Sequence, residues 1–213
     1  MAERAPDKLH YVKIPKAEGG RAEMVRMTYV LADAPYLDVF WTFDQAGAAV
    51  SGKNPFKQFP FVETPSGQHI YQTLAIMHHA AHGTPAWPSD PDSLTRALAV
   101  ALGGYDLYQA FGGFAADDLV AKQKFEQRRA PQYFAALDEI YSVRSFASGT
   151  APTFADCVVR EAVGWCVRRN DLCRALLVDK PHLAAFLERF DALPPIAAFR
   201  TRQAAARASD DSV

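Results

Sequence analysis

Between Thr84 and Pro91 the chain carries Pro85, Pro88 and Pro91, three prolines in seven positions. Proline has no amide hydrogen and a fixed φ, so a set this dense interrupts helix and strand alike. The hydrophobic pattern changes at the same place: short apolar runs of strand length precede it, and apolar residues at helical spacing follow it. A chain divided this way cannot build one continuous layer. We expect a small α/β domain over residues 8–84 and an all-helical domain over 92–203. A length of 213 residues with 49% apolar residues suffices for a core in each.

Before the prolines, Leu9 to Ile14 mixes apolar and β-branched residues over the length of a strand. Pro15, Gly19 and Gly20 break it, and Met24, Val25, Met27 and Leu31 then recur at helical spacing in a helix beginning at Arg21. Asp33-Ala34-Pro35 ends that helix, and the aromatic and β-branched stretch Tyr36 to Phe43 reads as a second strand beside the first. Gly47 to Phe56 reads as a surface loop. Phe59 to Glu63 is a short apolar run whose Pro60 forbids a central-strand position or requires a special, cis turn. Thr64-Pro65-Ser66-Gly67 is turn chemistry, so that run and Gln68 to Tyr71 form a hairpin, followed by a helix over Thr73 to His82 that stops at Gly83.

After the prolines, four helical patterns follow over Ser93–Phe111, Leu119–Tyr141, Ala155–Val167 and His182–Leu193. The sharpest local signal is Thr153-Phe154-Ala155-Asp156, a hydroxyl at the N-cap with a carboxylate three residues on, which together satisfy two backbone donors of a buried helix start. From Gln203 onward the Ala/Arg/Ser/Asp tail has no core pattern and is expected to fray.

Charge narrows the function classes. Twenty-three basic side chains against 24 acidic ones give a net charge of -1, so the field that draws a protein to phosphate backbones is absent and nucleic acid is not an expected partner. Apolar stretches are broken well short of the 18 or so residues of a membrane span, and no secretory signal is visible. Cys157, Cys166 and Cys173 are odd in number and lack a C-x-x-C spacing, which fits buried thiols in a reducing, cytoplasmic setting. His78 and His82 share a helix face, but no third ligand stands at a recognisable spacing, so no metal is expected.

The order of elements and several motifs resemble the soluble glutathione transferases, nearest to the sigma, alpha, mu and pi types. Gly20-Arg21-Ala22-Glu23 resembles the start of their first helix, and Asn54 to Glu63 the stretch around their cis-proline. Ile70 to Ile76 is similar to their Gln-Ser-x-Ala-Ile motif, Thr153 to Asp156 to their capping box, and Pro181 to Pro194 to a closing helix. The resemblance covers nearly the whole chain. It implies a thioredoxin-like N-terminal domain joined to an all-α domain, working as a homodimer on glutathione and a small hydrophobic electrophile or peroxide.

Carried over by position, the resemblance implies glutathione contacts at Phe59, Pro60, Gln72, Thr73, Lys53, Gln58 and Arg21, with Lys57 in the same loop. An extended backbone at Phe59 can take a tripeptide as an added strand, and a helix beginning at Gln72-Thr73 favours a carboxylate. The same two residues also serve as ordinary helix caps, Arg21 as a surface ion pair and Pro60 as a plain loop proline. Gln58 stands where the family often has lysine. The thiol needs a donor to favour its thiolate, and Tyr11 is the tyrosine of the first strand. Counting back from Arg21 without a gap puts Pro15 at the family's tyrosine position; a loop about four residues longer puts Tyr11 there, at small entropic cost. Tyr11 also reads as an ordinary half-buried strand residue.

In the helical half, Tyr105, Tyr108, Phe111 and Phe114 are the expected aromatic contacts of the electrophile, although an aromatic series at helical spacing equally builds core. Asp106 resembles an acid that reaches the γ-glutamyl amine bound to a second copy. A cysteine-dependent mechanism would need a cysteine near residues 11 to 20, and none is there. The leading expectation is a glutathione transferase, with peroxidase or isomerase activity as variants and detoxification as the setting. The alternatives are a non-catalytic binding or scaffold relative, or an enzyme of another small thiol; fold alone does not separate them.

Overall fold

The computed structural model describes residues 5–13, 19–112 and 117–210, the last four of these in backbone only. The chain divides into two compact units, Met1–Trp87 and Pro88–Val213.

The first unit contains a four-stranded sheet built from β1 (Asp7–Val12), β2 (Tyr36–Trp41), β3 (Phe61–Glu63) and β4 (His69–Tyr71). Its order is β2-β1-β3-β4, with β1 and β2 parallel and the other two pairs antiparallel. The parallel pair requires a crossover, which α1 (Arg21–Leu31) provides. The expected apolar stripe of α1 understates its burial: every residue from Ala22 to Tyr29 is buried, Glu23, Arg26 and Thr28 included. Thr28 donates to the Met24 carbonyl (2.9 Å), so its hydroxyl is satisfied within the helix. Asp7 of β1 is fully buried and joins three elements, accepting from the Tyr29 hydroxyl of α1 (2.9 Å) and lying 3.0 Å from His79 Nε2 of α3 (Thr73–Ala81). A buried carboxylate requires such partners.

Phe59–Pro60 is cis, and the expected hairpin forms, with the Thr64 hydroxyl accepting from the Gln68 amide (3.1 Å). The stretch read as a loop contains a short helix, α2 (Ala46–Val50), with Ala49 and Val50 buried. Five small residues are too few to show a helical period.

The second unit is helical: α4 (Pro91–Gly112), α5 (Leu119–Lys124), α6 (Ala130–Ser142), α7 (Phe154–Arg169), α8 (Asp171–Val178), α9 (Pro181–Asp191) and α10 (Pro194–Asp210). The pattern read as one helix over Leu119–Tyr141 is interrupted by a π-helical turn at Phe125–Arg129. Pro131 supplies the cause: it has no amide to donate, its ring crowds the preceding turn, and a widened turn relieves both. Helix α8 had no expected counterpart; its N-cap Asn170 accepts from the Cys173 amide (3.0 Å). The tail expected to fray is helical as far as Asp210, started by Pro194-Pro195, although Ala204, Ala205 and Ala206 are exposed.

Helix α7 is the core element, buried without interruption from Phe154 to Val163. The capping box at Thr153 and Asp156 is present. Asp138 of α6 accepts from the His182 and Leu183 amides (both 2.9 Å), capping α9, and Tyr141 stacks on Phe186 with ring centroids 3.8 Å apart. Phe114 lies outside the described residues, as does the loop segment Pro15–Glu18.

Candidate functional site

The first unit holds a cavity of about 360 Å³. Ala46, Gly47 and Val50 of α2 and Phe59 are its apolar lining residues, and Arg21, Lys57 and Gln58 its polar ones. Two cations and an amide, with no acid in the lining, favour an anionic or amide-rich ligand.

Local rules place each polar group. Gly20, the N-cap of α1, has φ 101° and ψ -176°, a conformation essentially reserved for glycine, so Arg21 is delivered at the helix start by a turn no other residue makes cheaply. The loop over residues 54–58 is organised by buried Asn54, whose side chain donates to the Gln58 carbonyl (2.7 Å) and accepts from the Phe56 amide (2.9 Å). Lys57 has φ 50° and donates its amide to the Asn54 carbonyl (3.0 Å). That left-handed turn brings Lys57 and Gln58 into the lining. Lys53 instead sits with its ammonium 5.9 Å from the Trp41 ring. The block of basic residues was legible in sequence; which lysine lines the cavity was not.

Tyr11 lies one residue before the end of β1, half-buried, opposite Phe40 in register. Its ring stands edge-on to that of Phe59, a lining residue, at 6.5 Å, and Tyr11 itself is not in the lining. On the other sheet face, His10 is stacked between Phe61 (4.3 Å) and Trp41 (5.9 Å), with Nδ1 accepting from Trp41 Nε1 (3.0 Å). Burial holds His10 down at about 4 against an opposing pull from Glu63, with Lys53, Lys8 and His69 adding to the depression. It is therefore neutral, and its proton is on Nε2.

Gln72, at the start of α3, has φ 73° and ψ 125°, and its side chain makes no capping hydrogen bond. Its conformation is strained and its amide is not used by the helix, so ordinary capping does not account for it. Thr73 beside it is buried. Neither is in the cavity lining, nor is Pro60. In the second unit, Tyr108 is buried against Trp165 (5.4 Å), Phe111 packs edge-on to Phe125 (5.2 Å), Tyr105 is half-buried and Asp106 is exposed. The three cysteines are buried. Hydrogen bonding to Cys173 and burial push the Cys166 thiol well up, which makes it a poor nucleophile. His78 meets the rings of His82 (4.8 Å) and Trp87 (4.7 Å) edge-on; among the described residues no group of three or more side chains could hold a metal ion. No helix among the described residues is long and apolar enough to cross a membrane.

Comparison with known proteins agrees with this architecture. The family model of the glutathione S-transferase C-terminal domain matches residues 105–203. Among solved structures, a Pi-class glutathione S-transferase of Onchocerca volvulus superposes with a TM-score of 0.80 at 21% identity, covering 95% of this chain and 96% of that one. A rat hPGDS complexed with a quinoline gives 0.79 at 22% identity, covering 93% and 97%. Na-GST-3, a monomeric glutathione S-transferase of the hookworm Necator americanus, gives 0.75 at 20% identity, covering 93% and 97%. No curated protein sequence matches the chain. The chain has the fold of the soluble glutathione transferases, a thioredoxin-like unit followed by a helical one, and its residues 105–203 belong to the glutathione S-transferase C-terminal domain family.

Proposed function

We propose that this protein is a cytoplasmic glutathione transferase, which favours the thiolate of glutathione and conjugates it to a small hydrophobic electrophile. The observation that carries this reading is the cavity whose polar lining is Arg21, Lys57 and Gln58, with Tyr11 edge-on to its lining residue Phe59. Glutathione brings two carboxylates, an ammonium and a thiol, and its net negative charge suits that lining. In this reading the Tyr11 hydroxyl donates a hydrogen bond to the sulfur, which stabilises the thiolate as the thiol proton leaves to solvent. The thiolate sulfur then attacks the electrophilic carbon, forming a C–S bond while the leaving group departs with its electron pair or, in addition to an activated double bond, while the displaced π pair takes a proton from solvent.

The remaining contacts extend the same proposal. The Phe59 backbone, just before Pro60, pairs with the cysteinyl backbone as an added strand. Gln72 and Thr73 hold the γ-glutamyl carboxylate at the N-terminus of α3, where helix dipole and backbone amides favour an anion. The glycyl carboxylate falls to Gln58 and the lysines of its loop, Lys57 more directly than Lys53. Tyr105, Tyr108 and Phe111 are assigned the electrophile's aromatic contacts, and Asp106 the γ-glutamyl amine bound to a second copy in a homodimer.

Calorimetric titration with glutathione, alongside a conjugation assay on a generic aromatic electrophile, tests the reading. Tyr11→Phe is expected to lower kcat/KM by about a hundredfold, in line with removal of one oriented donor, with glutathione affinity preserved. Binding without turnover, indifferent to Tyr11, would make the protein a non-catalytic relative. Absence of binding heat would remove glutathione altogether.

A further inference from the structure

Arg26 is charged and only 6% exposed, in the middle of a helix that is buried on every side. Its Nε donates to both oxygens of Asp38 (2.9 and 3.2 Å) and its Nη1 to Glu23 (3.2 Å). Burial alone would pull the guanidinium down, but Asp38 and Glu23 outweigh it, so the group stays charged. A buried ion pair of this kind stabilises a fold no better, in many cases, than apolar residues of equal volume. What distinguishes Arg26 is its unused end. Nη2 is buried with no hydrogen-bond partner, while the guanidinium carbon lies over two aromatic rings, 5.9 Å from the centroid of Tyr11 and 5.5 Å from that of Phe40.

The sheet register explains why both rings meet one cation. Tyr11 and Phe40 are direct partners across the parallel β1–β2 pair, and Asp38 lies two residues before Phe40 on the same sheet face. Asp38 thus anchors the guanidinium from the strand that carries Phe40, and the flat group covers the neighbouring Tyr11 ring. A desolvated guanidinium within about 6 Å of an aromatic face is held to it by the ring's quadrupole. Tyr11 is then restrained from two directions, by Arg26 over its ring and by the edge-on Phe59.

We propose that Arg26 is a positioning residue for Tyr11: anchored by Asp38 and Glu23, it lays its guanidinium over the Tyr11 ring and sets the direction of the phenol beside the cavity. The catalytic part of this inference rests on the transferase reading above. Helix α1 then serves the site twice, through Arg21 in the lining and through Arg26 behind the tyrosine.

The test is a double-mutant cycle of Arg26→Lys with Tyr11→Phe, read by conjugation kinetics. Lysine keeps a cation for Asp38 and Glu23 but loses the planar group. Arg26→Lys is expected to lower kcat about tenfold with the KM for glutathione unchanged, and to have no further effect once Tyr11 is phenylalanine. Asp38→Asn, which loosens the anchor and leaves Arg26 in place, is expected to act in the same direction by a smaller factor. An equal loss in both Tyr11 backgrounds would overturn the proposal. A second readout does not need turnover. In protein labelled with fluorotyrosine, the resonance that disappears in Tyr11→Phe is expected to move in Arg26→Lys, whereas that of Tyr141 stays. An unmoved Tyr11 signal overturns the inference even if the enzyme is active; a moved signal in a protein without turnover retains the restraint and rejects the transferase reading.

Discussion

Helices α1 and α7 are the buried centres of their two units, and each carries charged residues where an apolar one would be the simpler choice. They use them differently. In α7, Asp156 accepts from the Ala147 amide (2.8 Å), the Thr153 amide (2.8 Å) and hydroxyl (3.1 Å), and the Tyr141 hydroxyl (3.2 Å). Arg160 of the same helix forms a two-bonded pair with Asp191 (2.8 and 3.0 Å), to which Arg200 also donates (2.9 Å), so α9 and α10 are pinned to it. These charges end on helix starts, loop amides and neighbouring helices. In α1, Arg26 ends on a tyrosine next to a cavity with one donor unsatisfied. Asp156 and Arg160 in α7 hold the fold, whereas Arg26 in α1 lies beside the candidate chemistry.

The largest effect that would break this comparison is Asp156→Ala. It removes the capping box and leaves buried donors without an acceptor, so its cost is expected at about 3–5 kcal/mol, well beyond the roughly 1 kcal/mol of an ordinary N-cap. Urea unfolding measures it. A loss of cap size only would mean that Asp156 is no more than a local cap.

Protonation sharpens the contrast, because His10 of the first unit and Asp156 of the second, both buried, are shifted in opposite directions. His10 is held at about 4 in the fold, against 6.5 for the unfolded chain. Between those values the unfolded chain binds the proton and the folded one does not, so stability is full above pH 6.5 and is lost as pH falls toward 4. The loss amounts to about 3 kcal/mol. Asp156 is raised by burial to about 6, above its ordinary 3.8, even against its four donors. Here the folded state binds the proton more tightly, and stability falls by a similar, roughly 3 kcal/mol amount as pH rises from 3.8 to 6. The stability of the parent protein minus that of His10→Phe is therefore expected to rise with pH over this range, and the difference from Asp156→Asn to fall. Denaturant midpoints at four or five pH values show both slopes.

Smaller effects test how closely α7 is packed. A methyl group on Gly104 of α4 would lie 3.2 Å and 3.3 Å from the side chains of Val158 and Val159 and 3.5 Å from the Val159 backbone, so Gly104→Ala is expected to cost about 1–3 kcal/mol. Its neighbour Gly103 meets nothing within 4 Å, and Gly103→Ala is expected to stabilise by about 0.5–1 kcal/mol through helix propensity. Thermal unfolding of the pair separates contact from propensity, since the two substitutions are chemically identical and adjacent.

Much of the fold was legible because it follows local rules. Short apolar, β-branched and aromatic runs marked the strands and period-3.6 patterns the long helices, the Thr64–Gly67 turn marked the hairpin, and Thr153 with Asp156 marked the start of α7. Elements without such a signal were missed: α2 is too short for a period, α8 was legible only through Asn170, and the π-helical turn arises from the strain before Pro131. The site was legible by residue type and not by direction. Gly20-Arg21, the 54–60 loop and Gln72-Thr73 were each visible in the chain. That Lys57 lines the cavity while Lys53 turns to Trp41 depends on the φ of one loop residue.

Taken alone, the amino-acid sequence determined the succession of elements and the change of architecture at the prolines, because periodicity, capping and turn chemistry act between residues a few positions apart. Tertiary structure decided what faces what. In sequence nothing sets Arg26 apart from Arg21, Glu23 and Thr28 of the same helix; its position over Tyr11 requires β1, β2 and α1 to meet in one register. Nothing in the run Leu9 to Ile14 singles out His10, and its burial requires Trp41 and Phe61 on either side. Side-chain direction depends on strands paired across thirty or more residues of chain, and no local rule carries that information.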